Sequence, residues 1–241
     1  FPMPSPALNR VKPTFKRKTE MTQPALTSVA DFAMQIRGAV TPDAAARAAA
    51  EERNGQLTKP PGALGRLEDL AIWSASWRGT DRPQIARPQA LVFALITGER
   101  GIGNTTPAAA VAAALLGGGA DTWVGRGTGV DDAGLARKAE VVSAGLAAHA
   151  DHLEDPLEVL RRLGGRELAA MAGAMGAARV MGIPVILAGF ICSAAALVLQ
   201  KIEPGALDQA VAGHLSAEGA HARMLDALDK TPILSLGLRL G

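Results

Sequence analysis

Two glycine-rich loops hold the residue types in this sequence that best suit the binding of a phosphate group. The first loop reads GERGIGNTTP over residues 98–107, and the second reads GRGTG over residues 125–129. Glycines let a ligand approach the main chain closely, and the free N–H groups at the start of a following helix favour an anion. The first loop therefore predicts an anion site, and phosphate is the ligand that fits such a site best.

Side chains of the first loop suit the other parts of a sugar phosphate. Gly101 and Gly103 expose the backbone, while Thr105 and Thr106 add hydroxyl groups. Glu99 precedes them and carries a carboxylate, which only accepts hydrogen bonds and therefore suits sugar hydroxyls. The alternative is a glycine turn followed by an ordinary threonine cap, because an isolated glycine loop is a weak signal.

Lys138 lies on the helix that is predicted to follow the second loop. Its flexible side chain can place a point charge on a phosphate, although a solvated lysine near Glu140 is the alternative. The first loop is not followed by Gly-Lys-Ser/Thr, which argues against a P-loop. The second loop lacks the G-x-G-x-x-G spacing of a dinucleotide-binding fold.

The four histidines and the single cysteine are weaker candidates for chemistry. His149 and His152 are three residues apart at a predicted helix end, where solvated polar side chains are the alternative to a metal site. His214 and His221 are seven apart on a predicted helical face, where helix packing or an interface is the default. Cys192 lies in an apolar run and is predicted to be an inert buried thiol. We expect neither a metal nor a cofactor.

The elements that must position these residues alternate between strands and helices, which indicates an α/β fold with a parallel sheet. Strands are expected at 90–94 and 185–187, and a strand or loop after Pro232. The first helix is expected to use Thr41 as its cap and Pro42 as its first helical residue. Helices are predicted at 42–53, 64–77, 108–116, 131–148, 156–162, 166–181, 190–200 and 205–228.

A charge-free run at 181–199 is long enough to span a bilayer. Glycine and proline interrupt it, and buried parallel strands also read as continuous apolar runs. We therefore favour a buried strand that passes through Gly189 into a helix, and we expect no membrane partner.

Composition favours a globular protein without a nucleic-acid-binding face. Of the 241 residues, 48% are apolar and 3% are aromatic, and tyrosine is absent. Few rings are therefore available to stack on single-stranded nucleic acid. The net charge is +2, and the basic excess lies within the first twenty residues. One cysteine excludes an internal disulfide framework.

The chain divides into three predicted parts. Residues 1–40 are expected to be a disordered or extraneous leader, and the first twenty residues contain no apolar segment typical of a secretory signal. Residues 41–88 form an N-terminal helical segment. Residues 89–241 form an α/β nucleotide-binding core with a helical tail.

Several long motifs in a fixed order resemble one family. They are the segments 57–70, 98–110, 125–141 and 189–197, together with the tail from Ser216. The chain resembles the nicotinate-nucleotide:dimethylbenzimidazole phosphoribosyltransferases of cobalamin lower-ligand synthesis. The resemblance implies transfer of the phosphoribosyl group of nicotinate mononucleotide to dimethylbenzimidazole, giving α-ribazole 5′-phosphate and nicotinate without a metal. It also implies a three-layer, Rossmann-like sheet with an accessory helical subdomain, a homodimer and a cytoplasmic location.

The resemblance also assigns residues to the site. Glu99 matches the residue that holds the ribose, and Lys138 matches the lysine that binds the phosphate. The phosphate loop is matched by Gly101, Gly103, Asn104, Thr105 and Thr106.

The sequence departs from the family pattern at four places. Arg100 replaces a methionine beside the base pocket, and Ala188 replaces an aspartate. A long stretch that carries much of the benzimidazole pocket is missing after Ala94, and the catalytic glutamate of the family would follow Gly241. We therefore expect an incomplete sheet and an impaired transferase that keeps its phosphate site.

Two alternatives remain open beside an impaired transferase. One is a non-catalytic module that binds a ribonucleotide phosphate. The other is a chain that does not fold stably, because removing part of a parallel sheet exposes strand edges and apolar helix faces.

Overall fold

The fold is taken from a computed structural model that describes residues 28–85, 103–127 and 129–235. Within these residues there are ten α-helices and one sheet of three strands. A 3-10 turn at Ala150–His152 precedes α7, and a π-helical turn at Leu160–Gly164 follows it. The helices are α1 (Val29–Arg37), α2 (Ala44–Gln56), α3 (Arg66–Arg78), α4 (Thr105–Leu116), α5 (Ala120–Trp123), α6 (Asp132–Ala148), α7 (Pro156–Val159), α8 (Gly165–Val180), α9 (Phe190–Ile202) and α10 (His221–Ala227).

The three strands are β1 (Val185–Ala188), β2 (Ala210–His214) and β3 (Pro232–Leu234), and they form a parallel sheet in that order. Helix α9 connects β1 to β2, and α10 connects β2 to β3. The carboxyl ends of β1 and β2 therefore lie at one edge of the sheet, where an irregularity in the pairing falls between Leu187 and Ala188. The predicted α/β class with a parallel sheet is confirmed.

The apolar run at 181–199 folds as the predicted strand and helix. Leu187 is 1% exposed, and the segment from Ser193 to Leu199 is buried along α9. Gly189 joins the two elements with a φ of +90°, a conformation that favours glycine. Across the described ranges, the helices all fall short of the length and apolar character that a membrane span requires.

Small residues build the core around α9. Ala108 to Ala113 of α4 are buried, and Ala194 to Ala196 of α9 are fully buried. Helix α9 packs against both α4 and α8. Because alanine methyl groups let helix backbones approach closely, this packing holds the start of α4 near the carboxyl edge of the sheet.

One face of β1 is uncovered. Ile186, in the middle of the strand, is 64% exposed, and Met181 just before the strand is 59% exposed. One face of β1 packs on the apolar core, and the other face exposes an isoleucine. This arrangement agrees with the expectation of an incomplete sheet. The predicted strand at 90–94 lies outside the described residues.

The predicted helix at 205–228 is wrong, because two shorter elements occupy this stretch. Gly205 has a φ of +84°, and residues 210–214 form the central strand β2. Helix α10 begins only at His221. Residues 210–214 hydrogen-bond to strands on both sides, which satisfies their backbone groups without a helix.

The start of α2 also differs from the prediction. The helix begins at Ala44, and the carboxylate of Asp43 accepts the backbone N–H of Ala46 at 2.9 Å. Asp43 is therefore the cap rather than Thr41, because its side chain satisfies a free donor of the first turn. The helix also continues to Gln56, beyond the predicted stop at 54–55.

Ordered structure begins before residue 41, although residues 1–40 were expected to be a leader. Helix α1 packs against α8, and Ile36 is only 2% exposed. The guanidinium of Arg179 on α8 is buried and donates to the Val40 carbonyl at 2.6 Å and to the Gly205 carbonyl at 2.9 Å. The same group lies over the ring of Trp77. One side chain thus ties the N-terminal helices to the core. The division into domains stays a prediction.

Candidate active site

Lys138 connects the two glycine loops. Its Nζ donates to the Thr105 hydroxyl at 3.0 Å and to the Gly125 carbonyl at 3.1 Å. Thr105 begins α4 after the first loop, and Gly125 begins the second loop. An ammonium group has three donors, so these two bonds leave one for a ligand atom within the described part of the site. The structure thus joins residues that the sequence placed in two separate motifs.

Helix α6 places Lys138 at this junction. The carboxylate of Asp131 accepts the backbone N–H of Gly134 at 2.8 Å, which caps the helix at the end of the second loop. The predicted helix at 131–148 is confirmed to within one residue. A cap so close to the loop fixes the direction in which α6 leaves it.

Helix α4 begins earlier than predicted, at Thr105 instead of residue 108. The Thr106 N–H bonds to the Gly103 carbonyl at 3.1 Å, and Gly103 is an exposed glycine with a φ of +104°. Thr105 is therefore a helical residue rather than the cap. Both threonines lie in the first turn, where the positive end of the helix dipole faces the loop.

Asn104, which the resemblance places in the phosphate loop, is tied to α8 by its side chain. Its side-chain amide donates to the carboxylate of Glu167 on α8 at 3.2 and 3.3 Å. These bonds hold the end of the first loop against α8. The side chain of Asn104 therefore positions the end of the loop.

Glu218 is a site residue that sequence reasoning missed. Its carboxylate lies over the second loop, where a Cβ on Gly125 would overlap Oε2. A Cβ on Gly127 would lie 3.7 Å from Glu218 Oε1, 3.3 Å from Lys138 Nζ and 3.4 Å from Thr105 Oγ1. The sequence offered one signal, since Glu218 belongs to the tail motif that resembles the family.

A buried histidine holds the segment that leads to Glu218. His221 is 1% exposed, and its Nδ1 accepts the Ser216 N–H at 2.9 Å. Its Nε2 lies 3.0 Å from the hydroxyl of Ser193, which itself donates to the Gly189 carbonyl at 2.9 Å. Nε2 is therefore the protonated nitrogen, and the imidazole is neutral. Burial, helped by nearby His214, lowers the pKa of His221 to about 4.

The pairing of His214 and His221 does not arise from a shared helix. His214 ends β2 and His221 begins α10, and their ring centroids are 6.5 Å apart. The predicted helical face is wrong because a strand occupies the first half of that stretch. The expected packing role of His221 agrees with its burial.

The remaining candidates show no site chemistry. His149 Nδ1 lies 3.5 Å from Arg162 Nη1, and His152 is exposed. In the ranges that the structure covers, no group of three or more histidine, cysteine or acidic side chains is arranged to hold a metal ion. Burial raises the pKa of the Cys192 thiol, as the prediction of an inert thiol requires.

Three residues of the first loop, Glu99, Arg100 and Gly101, lie outside the described residues. Ala188, the residue that replaces an aspartate in the resemblance, is exposed at the carboxyl end of β1. It lies directly before Gly189 and therefore at the same edge of the sheet as His214 and the segment leading to Glu218.

Comparison with known proteins identifies relatives along almost the whole chain. A family model described as phosphoribosyltransferase matches residues 39–95 and 94–241. The nicotinate-nucleotide–dimethylbenzimidazole phosphoribosyltransferase of Ruegeria pomeroyi is 48% identical over 303 aligned positions, which take in 90% of this chain and 90% of the relative. The protein of the same name from a Jannaschia species is 46% identical over 306 positions, covering 92% and 90%. The crystal structure of CobT from Thermus thermophilus matches with a TM-score of 0.70 at 31% identity, covering 82% of this chain and 90% of that chain.

The match is made in two segments that meet at residues 94–95. The 303 positions aligned with the Ruegeria relative also exceed the 241 residues of this chain. The relatives therefore have an internal stretch without a counterpart here, at the place where the sequence predicts one. The family model matches this chain from residue 39 to residue 241. The chain therefore belongs to the phosphoribosyltransferase family that includes the nicotinate-nucleotide–dimethylbenzimidazole enzymes.

Proposed function

We propose that this chain binds nicotinate mononucleotide and takes part in the transfer of its phosphoribosyl group to dimethylbenzimidazole. The products are α-ribazole 5′-phosphate and nicotinate. The relatives bear the name of this activity. The observation that supports it most strongly in this chain is that Lys138 hydrogen-bonds to both glycine loops, which makes them one site.

The phosphate of the nucleotide is proposed to lie at the start of α4. Gly103 leaves room beside the main chain, and the first turn of α4 carries the positive end of the helix dipole together with Thr105 and Thr106. Lys138 supplies the counter-charge. Gly101 is proposed to contact the phosphate and Glu99 the ribose.

Holding the phosphate positions the reacting carbon of the ribose. In the transfer, the bond from C1′ to the nicotinate nitrogen breaks, and a bond forms from C1′ to a benzimidazole nitrogen. The incoming base loses its N–H proton to a general base or to water. Binding the phosphate through several groups at once restricts the motion of C1′ and so favours attack from one direction.

Binding without transfer is the second candidate function. The family match divides at residues 94–95, where the resemblance places much of the benzimidazole pocket. Every described residue of the phosphate site lies after this point. A chain with this gap can therefore keep nucleotide binding while the second substrate is held poorly.

Calorimetric titration with nicotinate mononucleotide tests the proposed site. We expect Lys138→Ala to weaken binding by about tenfold or more, because it removes a charge-assisted hydrogen bond to the phosphate. Lys201→Ala on the exposed end of α9 is the matched control and should bind as wild type. Equal binding by the wild type and Lys138→Ala would show that the phosphate lies elsewhere.

The same protein distinguishes the two candidate functions when dimethylbenzimidazole is added. Formation of α-ribazole 5′-phosphate, followed by chromatography, supports the transferase. Saturable nucleotide binding with no product above the uncatalysed background supports the binding module.

We also propose a homodimer in the cytoplasm, as the resemblance implies. Light scattering coupled to size-exclusion chromatography should give twice the chain mass of 24.7 kDa. A monomer at micromolar concentration would contradict the dimer, and recovery in a membrane or secreted fraction would contradict the location.

A further inference from the structure

Asn104 stands directly before α4, at the position from which a side chain can cap the helix, but it does not cap it. An asparagine at this position usually accepts an N–H of the first turn with its side-chain oxygen. The side chain of Asn104 makes no such bond, and its backbone is helical, with a φ of −66° and a ψ of −18°. The amide of Asn104 therefore does not cover the amino end of α4, where the phosphate is proposed to lie.

Glu167 on α8 holds the Asn104 side chain in this orientation. Both carboxylate oxygens of Glu167 accept from the Asn104 amide, at 3.2 and 3.3 Å. Because a carboxylate is a stronger acceptor than a neutral oxygen, these bonds favour one conformation of Asn104. Without Glu167, the Asn104 side chain could turn back and accept an N–H of the first turn as an ordinary cap.

The core fixes the place of Glu167. Helix α8 packs against α9, and Leu168, the residue after Glu167, is 1% exposed. Within the described residues, the carboxylate of Glu167 forms no ion pair and is bonded to Asn104 alone. A negative charge without a cation opposes the binding of an anion nearby. The charge of Glu167 therefore does not help a phosphate at α4, and its favourable contribution comes from the bonds to Asn104.

We propose that Glu167 is a positioning residue of the phosphate site, which turns the Asn104 side chain away from the amino end of α4 and so prevents it from competing with the phosphate. This inference rests on the proposed function, because it assumes that the phosphate lies at the start of α4. Glu167 does not touch the ligand. Its hydrogen bonds to Asn104 favour binding, whereas its charge opposes binding.

Calorimetric titration of the full chain with inorganic phosphate and with nicotinate mononucleotide tests the role of Glu167. Glu167→Ala should weaken the binding of both ligands by about five- to tenfold, because the released Asn104 side chain can cap α4 and compete for its first turn. Glu51→Ala is the matched control, since exposed Glu51 lies on α2, a helix that packs against α3. This control loses the same charge and should bind both ligands as the wild type does.

Glu167→Gln separates the hydrogen bonds from the charge. A glutamine of the same length can still accept from the Asn104 amide, but it carries no negative charge. This variant should bind both ligands at least as tightly as the wild type, and any gain should shrink as the salt concentration rises, because salt screens the effect of the charge. A loss of stability alone would not preserve or raise the affinity in this way.

A double variant shows whether Glu167 acts through Asn104. With the competing side chain removed, Asn104→Ala/Glu167→Ala should bind phosphate more tightly than Glu167→Ala alone and within about threefold of Asn104→Ala. Independent effects would instead make the double variant weaker than either single variant, because their losses would multiply. Urea denaturation of each variant checks that the chain is folded under the conditions of the titration.

The outcomes separate the inference from the proposed function. If the wild type binds both ligands and Glu167→Ala binds them equally well, the inference is wrong and the phosphate site stands. The same conclusion follows if Glu167→Gln is as weak as Glu167→Ala, or if the double variant is weaker than both single variants. If the wild type binds neither ligand, the proposed function and the inference both fall. A loss in Glu167→Ala that is absent from Glu167→Gln and recovered in the double variant supports Glu167 as the residue that orients Asn104.

Discussion

At the level of single residues, the site depends on side chains that are fixed by partners far away in the sequence. Lys138 reaches Thr105 and Gly125, and His221 bonds to Ser216 and to Ser193 on another helix. Each polar group is thereby held in one orientation before a ligand binds. Such preorganisation reduces the free energy that is lost when the ligand is ordered.

The buried imidazole of His221 makes the stability of the fold depend on pH. Its pKa is about 4 in the folded protein, below its ordinary value of 6.5, so the unfolded chain binds more protons between these two values. The contribution of His221 to the free energy of unfolding should therefore be constant above pH 6.5 and should fall as the pH drops toward 4. The full loss is about 3 kcal/mol, because one pKa unit corresponds to ~1.4 kcal/mol.

Urea denaturation at pH 7.0 and pH 4.5 measures this dependence. His221→Gln should be less stable than the wild type at pH 7.0 and should lose less stability between the two pH values. His152→Gln, at an exposed position, should retain the dependence of the wild type. A His221→Gln variant with the same pH dependence as the wild type would mean that another group titrates.

Sequence reasoning predicted most residues of the candidate site and missed one that lies beside them. The glycine loops, Thr105 and Lys138 were predicted because phosphate binding requires those residue types near a helix start. Glu218 was missed because it approaches Gly125 only in the folded chain, where the segment between β2 and α10 lies beside the second loop. No local pattern of residues carries that information.

At the level of elements, local signals predicted those helices whose ends have their own caps or breakers. The start of α6 follows from Asp131, and α9 follows from Gly189 after an apolar strand. The stretch 205–228 was mispredicted because β2 is only five residues long and rich in alanine, which favours helices when considered alone. Pairing with strands on both sides outweighs that preference.

Arg179 contributes to the attachment of the N-terminal helices to the core. We expect Arg179→Lys to lower the free energy of unfolding by about 2–3 kcal/mol, because a lysine cannot make the same forked set of bonds to Val40 and Gly205 in a buried position. Binding of nicotinate mononucleotide should be unchanged, since Arg179 is remote from the loops.

Urea denaturation followed by circular dichroism measures this loss. Arg161→Lys is the control, because Arg161 is an exposed partner of Glu158 and its replacement should leave the midpoint where it is. Equal midpoints for Arg179→Lys and the wild type would show that other contacts hold the N-terminal helices.

At the level of the whole molecule, the family match falls into two segments that meet at residues 94–95, and one face of β1 carries an exposed isoleucine. Parallel sheets are normally covered on both faces, whereas Ile186 in the middle of β1 is 64% exposed. The α/β class was predictable from alternating elements, whereas the order of the three strands was not, because pairing partners are chosen by packing across the whole chain.

The open face should make the protein associate beyond its native assembly at high concentration. Ile186→Lys should reduce this association in sedimentation velocity experiments, because a charge on an exposed strand opposes edge and face pairing. The midpoint of thermal unfolding should change little, since Ile186 is 64% exposed.

Leu67→Lys is the control for the open face, with a leucine that is 63% exposed on α3 and away from the sheet. If Leu67→Lys reduces association as much as Ile186→Lys, the effect comes from net charge and not from the sheet.

The claim that the two glycine loops form one phosphate site is tested most directly by a double-mutant cycle on the affinity for nicotinate mononucleotide. Thr105→Val, Lys138→Ala and the double variant are titrated by calorimetry beside the wild type. Each single change should weaken binding by about tenfold, and the double change by clearly less than the product of the two, because both groups act on one phosphate. Affinities like that of the wild type in both single variants, or losses that multiply fully, would contradict a shared site.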